Sequence, residues 1–247
     1  TKKMNEWIQI LMLISAVIIG GIVVVWLDAL NQKKIIKILL AFSGGFLLSI
    51  AFAHFLPELY RDHQSSVGIF VLLGFLVQLF LEYFSGGIEH GHVHHNTKKK
   101  LPWILFLSLS VHSFIEGIPL THPMDIHHQH ATGDTEYSLL LGIILHQIPV
   151  AIALMTLLRA SNISNRKSWG VLLLFACMTP LGLLFGYYGV QGIDETSMNY
   201  LLAIVIGMLL HISTTIIFET SENHKFNLIK LTSILIGVVL ALFLSPI

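Results

Sequence analysis

The chain has 247 residues, 54% of them hydrophobic and only 11% charged, with 14 Lys and Arg balancing 14 Asp and Glu. A soluble domain carries about 25% charged residues, so the composition excludes a water-soluble globule, and the zero net charge excludes a nucleic-acid partner. The single cysteine, Cys177, rules out an intrachain disulfide or thiolate metal site and is expected to be a small buried hydrophobe.

A hydrocarbon core about 30 Å thick takes roughly 20 helical residues to cross. Stretches at about 7–28, 35–57, 67–85, 101–120, 137–158, 169–190, 199–219 and 228–246 meet that length. Most are apolar all round, which favours helices over barrel strands. The expected fold is all-α, an eight-transmembrane-helix bundle in the cell membrane, with 1–247 as one domain. The first run exceeds the roughly 7–15 residues of a signal-peptide core and lacks a clear cleavage site, which marks it as a span. Trp7, Trp103 and Trp169 fall near segment ends, where interfacial aromatics belong.

Basic residues fix the orientation. Lys33, Lys34, Lys37, Lys98, Lys99, Lys100, Arg159, Arg166, Lys167, Lys225 and Lys230 share one side, and Lys2, Lys3 and Arg61 the other. The positive-inside rule then places both termini outside and the loops after helices 1, 3, 5 and 7 in the cytoplasm.

Helix 2 ends in GGFLLSIAFAHFLPE, residues 44–58. Gly44 and Gly45 offer a close-packing face for another helix, of this chain or of a second copy in a homodimer. Pro57 can kink the helix and free the carbonyl of Ala53. His54 and Glu58, at i, i+4, form either a metal vestibule or a solvated helix end. On helix 3, Glu82 is expected to snorkel to the interface near Gln78. The loop 86–100 follows, with His90, His92, His94 and His95 beside Glu89, a weakly selective cytoplasmic metal tract or a loop with no required role.

Helices 4 and 5 carry the most informative residues. In VHSFIEGIPL, residues 111–120, His112 and Glu116 stand at i, i+4 on one helix face. In LHQIPVAIAL, residues 145–154, His146 falls at a similar depth. A short connection makes the two helices expected antiparallel neighbours. Three such groups at mid-membrane depth must all be desolvated and answered. Two imidazoles and a carboxylate suit a borderline divalent cation such as zinc. Ser113 and Gln147 are adjacent ligand candidates or interhelical hydrogen-bonding residues. Pro119 and Pro149 can free the carbonyls of Ile115 and Leu145 beside this polar track. The intervening loop holds His122, His127, His128 and His130 with Asp125, Asp134 and Glu136, so metal-friendly loops flank the site on both sides. Pro180, in TPLG at 179–182, reads as a kink or packing device. His211 on helix 7 reads as packing, or as an extra ligand. Helix 8 reads as scaffold.

Eight helices, the His-rich loop and HSFIEG at 112–117 resemble the ZIP (Zrt/Irt-like) family of divalent-metal transporters, whose helix 4 motif runs His-Asn/Ser-x-x-Glu/Asp-Gly. HFLPE at 54–58 and TPLG support the likeness, which extends over essentially the whole chain. Helix 5 diverges: Gln147 stands where the family often has an acidic residue, and Val150 where a bridging Glu often sits. On helix 7, Thr215 and Ile216 replace a usual carboxylate. The resemblance therefore implies one principal metal site, from His112, Glu116 and His146, with Ser113, Gln147 or water completing it. The ion is zinc, or iron, manganese or cadmium, carried as cargo, and no prosthetic group is implied. Divalent metal ions and the lipid bilayer are the expected partners, and the chain is not expected to be an enzyme. Two other functions compete with zinc uptake into the cytoplasm. One is an intramembrane zinc-dependent hydrolase, disfavoured by the lack of HExxH. The other is a relative that binds metal without transporting it.

Overall fold

An apolar stretch in a bilayer satisfies its backbone polar groups by coiling into a helix. A computed structural model describes residues 5–26, 29–60, 66–85, 103–121, 135–161, 163–190, 194–219 and 228–244, and among them there are helices and no strand. In chain order, α1 is Glu6–Trp26. The second, α2, is Ala29–Ile50, continued by a π-helical turn, Ala51–Phe55, and a last turn, Leu56–Tyr60. Next come α3, Val67–Ser85, and α4, Trp103–Gly117, which tightens into a 3-10 turn, Ile118–Thr121. Helix α5 is Thr135–Ala160. The sixth, α6, joins Asn165–Ala176 to Met178–Leu184 and ends in a π-helical turn, Phe185–Gly189. The last two are α7, Glu195–Glu219, and α8, Leu228–Leu244.

Seven of these helices are long and apolar enough to cross a membrane, while α8 is apolar but has 17 residues. At 1.5 Å per residue it reaches roughly 25 Å, slightly less than the hydrocarbon core. The chain is an all-α, multi-pass integral membrane protein of the cell membrane. Its outer surface agrees: Ile69, Leu72, Leu76, Leu79, Phe80 and Tyr83 of α3 are all exposed, a patch suited to lipid and not to water.

The prolines leave local signatures. A proline ring presses on the carbonyl four residues back in a regular α-helix. Before Pro57, α2 widens, and the Leu56 N–H bonds the Ala51 carbonyl five residues back, as in a π-turn. Helix α6 breaks at Cys177, three residues before Pro180, and the Cys177 N–H turns to the carbonyls of Leu174 and Phe175. Cys177 is exposed on the outer face of this break, which corrects its expected burial. In a membrane the outside is apolar too, so a thiol gains little by turning inward.

Small residues select the neighbours. The closest helix pairs are α2 with α8, α3 with α7, α1 with α5 and α4 with α6. Gly74 of α3 receives the Ile204 carbonyl and Gly207 of α7 the Val71 carbonyl, so a Cβ at either would enter the partner's backbone. Gly45 meets Ile234 of α8 and Gly44 meets Ile216 of α7. The close-packing face at Gly44 and Gly45 is therefore occupied within the chain. Helices α4 and α5 face each other through side chains, His112 against His146, while their close backbone packing is with other helices: α4 with α6 and α3, and α5 with α1 and α2. Glycines explain the choice, since Gly117 backs onto Thr179 of α6 and Gly20 of α1 onto Ile148 and Ala151 of α5.

The interior falls into two dry clusters. One gathers Leu105 and Leu109 of α4, Val150 and Leu154 of α5, and Ile212 and Ile216 of α7. The other gathers Leu120 of the 3-10 turn after α4, Leu139 and Ile143 of α5, and Val205, Ile206 and Leu209 of α7. Between them, α4 contributes His112 and Glu116, α5 His146 and Gln147, and α6 Thr179, all buried. A polar layer therefore lies between two apolar ones.

Candidate metal site

Residues His112 and Glu116 are four apart in a regular stretch of α4, so the helix alone stacks their side chains. The His112 Nε2 lies 3.1 Å from the Glu116 Oε1, with both side chains 1% exposed. His146 enters from α5, its ring edge-on to that of His112 at a centroid separation of 6.1 Å. One donor atom from each of the three residues lies within 4.8 Å of the others, and this is the one such group of His, Cys, Asp or Glu among the described residues. Zinc bonds of about 2.0–2.1 Å in tetrahedral geometry set donor atoms roughly 3.3 Å apart. The His112–Glu116 edge already has that spacing, and the His146 edge needs to close by at most about 1.5 Å, within reach of a side-chain rotation.

The supporting contacts come from α6. Gly182 receives the Phe114 carbonyl, and Gly117 receives that of Thr179, so α4 and α6 are nearly in backbone contact beside the histidine–glutamate pair. The two glycines of HSFIEG and TPLG thus bring Thr179 close to α5, where Gln147 Nε2 donates to Thr179 Oγ1. That bond leaves Gln147 Oε1 as the amide's remaining ligand atom, buried with no hydrogen-bond partner. Ser113 is buried beside His112, 2% exposed. The structure thus brings together His112, Glu116 and His146, keeps Ser113 and Gln147 in the same buried layer, and ties Gln147 to α6.

Other candidate positions fare differently. Val150 is 2% exposed within the first dry cluster, as is Ile216 at 1%. Thr215 donates to the His211 carbonyl at 2.8 Å. His54 and Glu58 are half-buried on the π-turn and final turn of α2, and no third ligand joins them among the described residues. The His-rich tracts at 86–100 and 122–130 lie outside the described residues.

Glu82 corrects its expected role. It does not reach for the interface but faces α7, its Oε2 lying 3.4 Å from His211 Nδ1. The carboxylate beside His211 therefore comes from α3 and not from its own helix. No local spacing signals this pairing, because it depends on α3 and α7 running parallel. Their contacts advance together, Phe70 on Tyr200 and Phe75 on His211.

A family model described as ZIP zinc transporter matches residues 6–102 and 88–245 of the chain. No curated protein matches it.

Proposed function

The chain belongs to the ZIP zinc transporter family, and on that footing we propose that it carries zinc into the cytoplasm through a site made by His112, Glu116 and His146. Transport of divalent metal ions across the membrane is the function of the family. What supports the finer reading is one observation: three metal-ligating side chains converge, 1% exposed, inside an apolar bundle. Desolvating a carboxylate and two imidazoles costs several kcal/mol unless something answers them, and a divalent cation answers all three.

We assign one ion to this centre. Val150 and Ile216, where a second metal's carboxylates would be expected, belong to a dry cluster. Zinc held by one carboxylate and two neutral imidazoles keeps a net charge of +1, which lowers affinity in a low-dielectric setting. Moderate affinity serves transport, since the ion must also leave. Gln147 Oε1, Ser113 or water completes the shell. The dry clusters on either side of the layer describe an occluded state, from which each side opens in turn. The orientation follows the basic loops, with both termini outside and the 86–100 tract in the cytoplasm; 1–247 acts as a single transporter domain. An enzyme reading lacks support: Glu116 is within the ligand group, and no further carboxylate joins it among the described residues to serve as a general base.

The test is zinc influx into proteoliposomes loaded with a metal-sensitive dye, wild type against His112→Ala. Influx that depends on His112 is the expected result. Zinc bound but not moved by the wild-type protein would favour a binding relative that does not transport, and influx unchanged in His112→Ala would move the path elsewhere.

A further inference from the structure

Glycine is among the least helix-favouring residues, and inside a membrane bundle it serves close approach to a neighbour. Of the described glycines, every one but Gly170 would press an added Cβ against a side chain or backbone elsewhere in the chain; around Gly170 no atom lies within 4 Å. Gly170 stands inside the Asn165–Ala176 segment of α6 and is exposed. It therefore leaves a notch on the outward face of the helix that the chain itself does not fill.

The surroundings of the notch are graded along the helix. Arg166, Gly170, Leu173 and Cys177 fall at i, i+4, i+7 and i+11, one stripe, and all are exposed. Lys167 and Leu174 flank the stripe and are exposed as well. No acidic residue stands in the first turn, and the Ser164 side chain makes no capping hydrogen bond. No carboxylate of that turn offsets the two cations, and the positive end of the helix dipole adds to them. The span Asn165–Gly189 has 25 residues, about 37 Å of helix against a hydrocarbon core of about 30 Å, so its first turn stands in the headgroup layer, about 5–7 Å thick on each side. Gly170 is about 6 Å beyond Arg166 along the axis, where headgroup gives way to hydrocarbon. Trp169, packed on Gly21 of α1, marks the same level, as interfacial aromatics do.

We propose that this face of α6 binds an anionic phospholipid of the leaflet into which the α5–α6 connection opens. Arg166 and Lys167 hold the phosphate, the glycerol backbone seats over Gly170, and an acyl chain runs along Leu173, Leu174 and Cys177. Two other occupants fit less well. A second copy docking about a two-fold axis would bring the same patch and set Arg166 and Lys167 against their own equivalents. A free anion would answer the cations but makes no use of the notch or the apolar stripe. The bias of basic residues toward one side accounts for the charges and not for the glycine. Because α6 is locked to α4 at Gly117 and Gly182, a lipid seated here fixes the depth of the helix pair that carries His112 and Glu116. The proposal needs the membrane fold alone and does not depend on the metal assignment.

Native mass spectrometry of the purified full-length chain, delipidated in detergent and titrated with dioleoyl phosphatidylglycerol or dioleoyl phosphatidylcholine, tests this. The wild type is expected to take up its first phosphatidylglycerol about 30-fold more tightly than phosphatidylcholine, as two cations near a membrane surface imply. Arg166→Gln/Lys167→Gln should cut that preference to about threefold or less. Gly170→Leu keeps both cations and favours the helix, yet should weaken the first phosphatidylglycerol about tenfold by filling the notch. Sodium phosphate should not compete. Without lipid, both variants should melt at the wild-type temperature, so that lost binding is not lost folding. An unchanged preference in the charge variant, or unchanged affinity in Gly170→Leu, overturns the site. Displacement by phosphate reduces it to a general anion patch, and a lipid-free dimer that Gly170→Leu abolishes gives the notch to a second copy. A lower melting temperature in Gly170→Leu would mean that the chain itself occupies the notch, which also overturns the proposal.

Discussion

The two polar centres of this bundle are built in opposite ways. His112 and Glu116 come from one helix, and their contact is dictated by the α-helical repeat before any tertiary structure forms. Glu82 and His211 come from helices far apart in the chain, and they meet only because α3 and α7 run parallel with glycines at their crossing. The first centre is sealed between two dry clusters; the second has its carboxylate partly open. A site that must hold an ion away from water benefits from local rigidity. A pair made by two helices is only as rigid as their crossing.

The largest expected effect breaks the first centre. His112→Ala, Glu116→Ala or His146→Ala each removes one of three ligands, and zinc influx should fall about 100-fold or more, to the level of empty vesicles. Melting temperature in detergent should fall most in His112→Ala, which leaves the Glu116 carboxylate buried without its partner at 3.1 Å, so influx is compared per folded protein. Influx above a tenth of wild type in any of the three would detach the centre from the path.

The next effect acts on the platform under that centre. Gly182→Ala puts a methyl group against the Phe114 carbonyl, and overpacking of this kind costs about 1–3 kcal/mol. Because α4 carries both His112 and Glu116, melting temperature and influx should fall together. Gly170→Ala is the control: no atom lies within 4 Å of the Cβ it would add, and both quantities should stay at wild-type values. A stable, fully active Gly182→Ala would mean that α4 can shift without disturbing the site.

These contrasts also explain what could be read in advance. Spans were legible because an apolar run in lipid has a single solution, and the His112–Glu116 pair because its spacing is local. His146 was legible by depth. The neighbour choice was not. Loop length places α4 facing α5, as His112 and His146 do, but the closest packing is set by the glycines at 20, 117 and 182, which favour α1–α5 and α4–α6, and glycine contacts depend on a partner surface that no single segment displays. The same gap hid Glu82, since snorkelling and inward pairing have identical local sequence. It hid Cys177 as well, because apolar surroundings do not distinguish core from lipid.

A third prediction sharpens the contrast between the centres by changing charge alone. Gln147→Glu places a second carboxylate beside the first centre, where one carboxylate and two imidazoles leave zinc at +1. At an effective dielectric of about 20, a unit charge about 4 Å away is worth roughly 4 kcal/mol before desolvation is subtracted. The net expectation is zinc binding about tenfold tighter, with slower turnover because release becomes limiting. The Glu82–His211 pair, on other helices, should be indifferent, so Glu82→Gln should leave this gain unchanged. Tighter binding with faster influx would show that loading, and not release, limits the wild-type protein.

The smallest effect concerns Gln147 itself. Its amide nitrogen is held by Thr179 of α6, which aims the Oε1 atom, buried and without a hydrogen-bond partner. Thr179→Val keeps the shape of the side chain and removes the acceptor, which should lower stability by about 1 kcal/mol. Two roles for Gln147 then separate. If Oε1 is a ligand, the substitution lets the amide rotate, and zinc affinity falls about threefold along with stability. If the Gln147–Thr179 bond only joins α5 to α6, melting temperature falls and the zinc isotherm does not move. Gln147→Leu distinguishes the same cases from the other side: it should weaken zinc binding more than Thr179→Val does if the carbonyl is a ligand, and leave it unchanged if the amide is interhelical adhesion. The size of this effect also bounds how much of the metal shell is supplied by water, because a shell completed by water is insensitive to where the amide points.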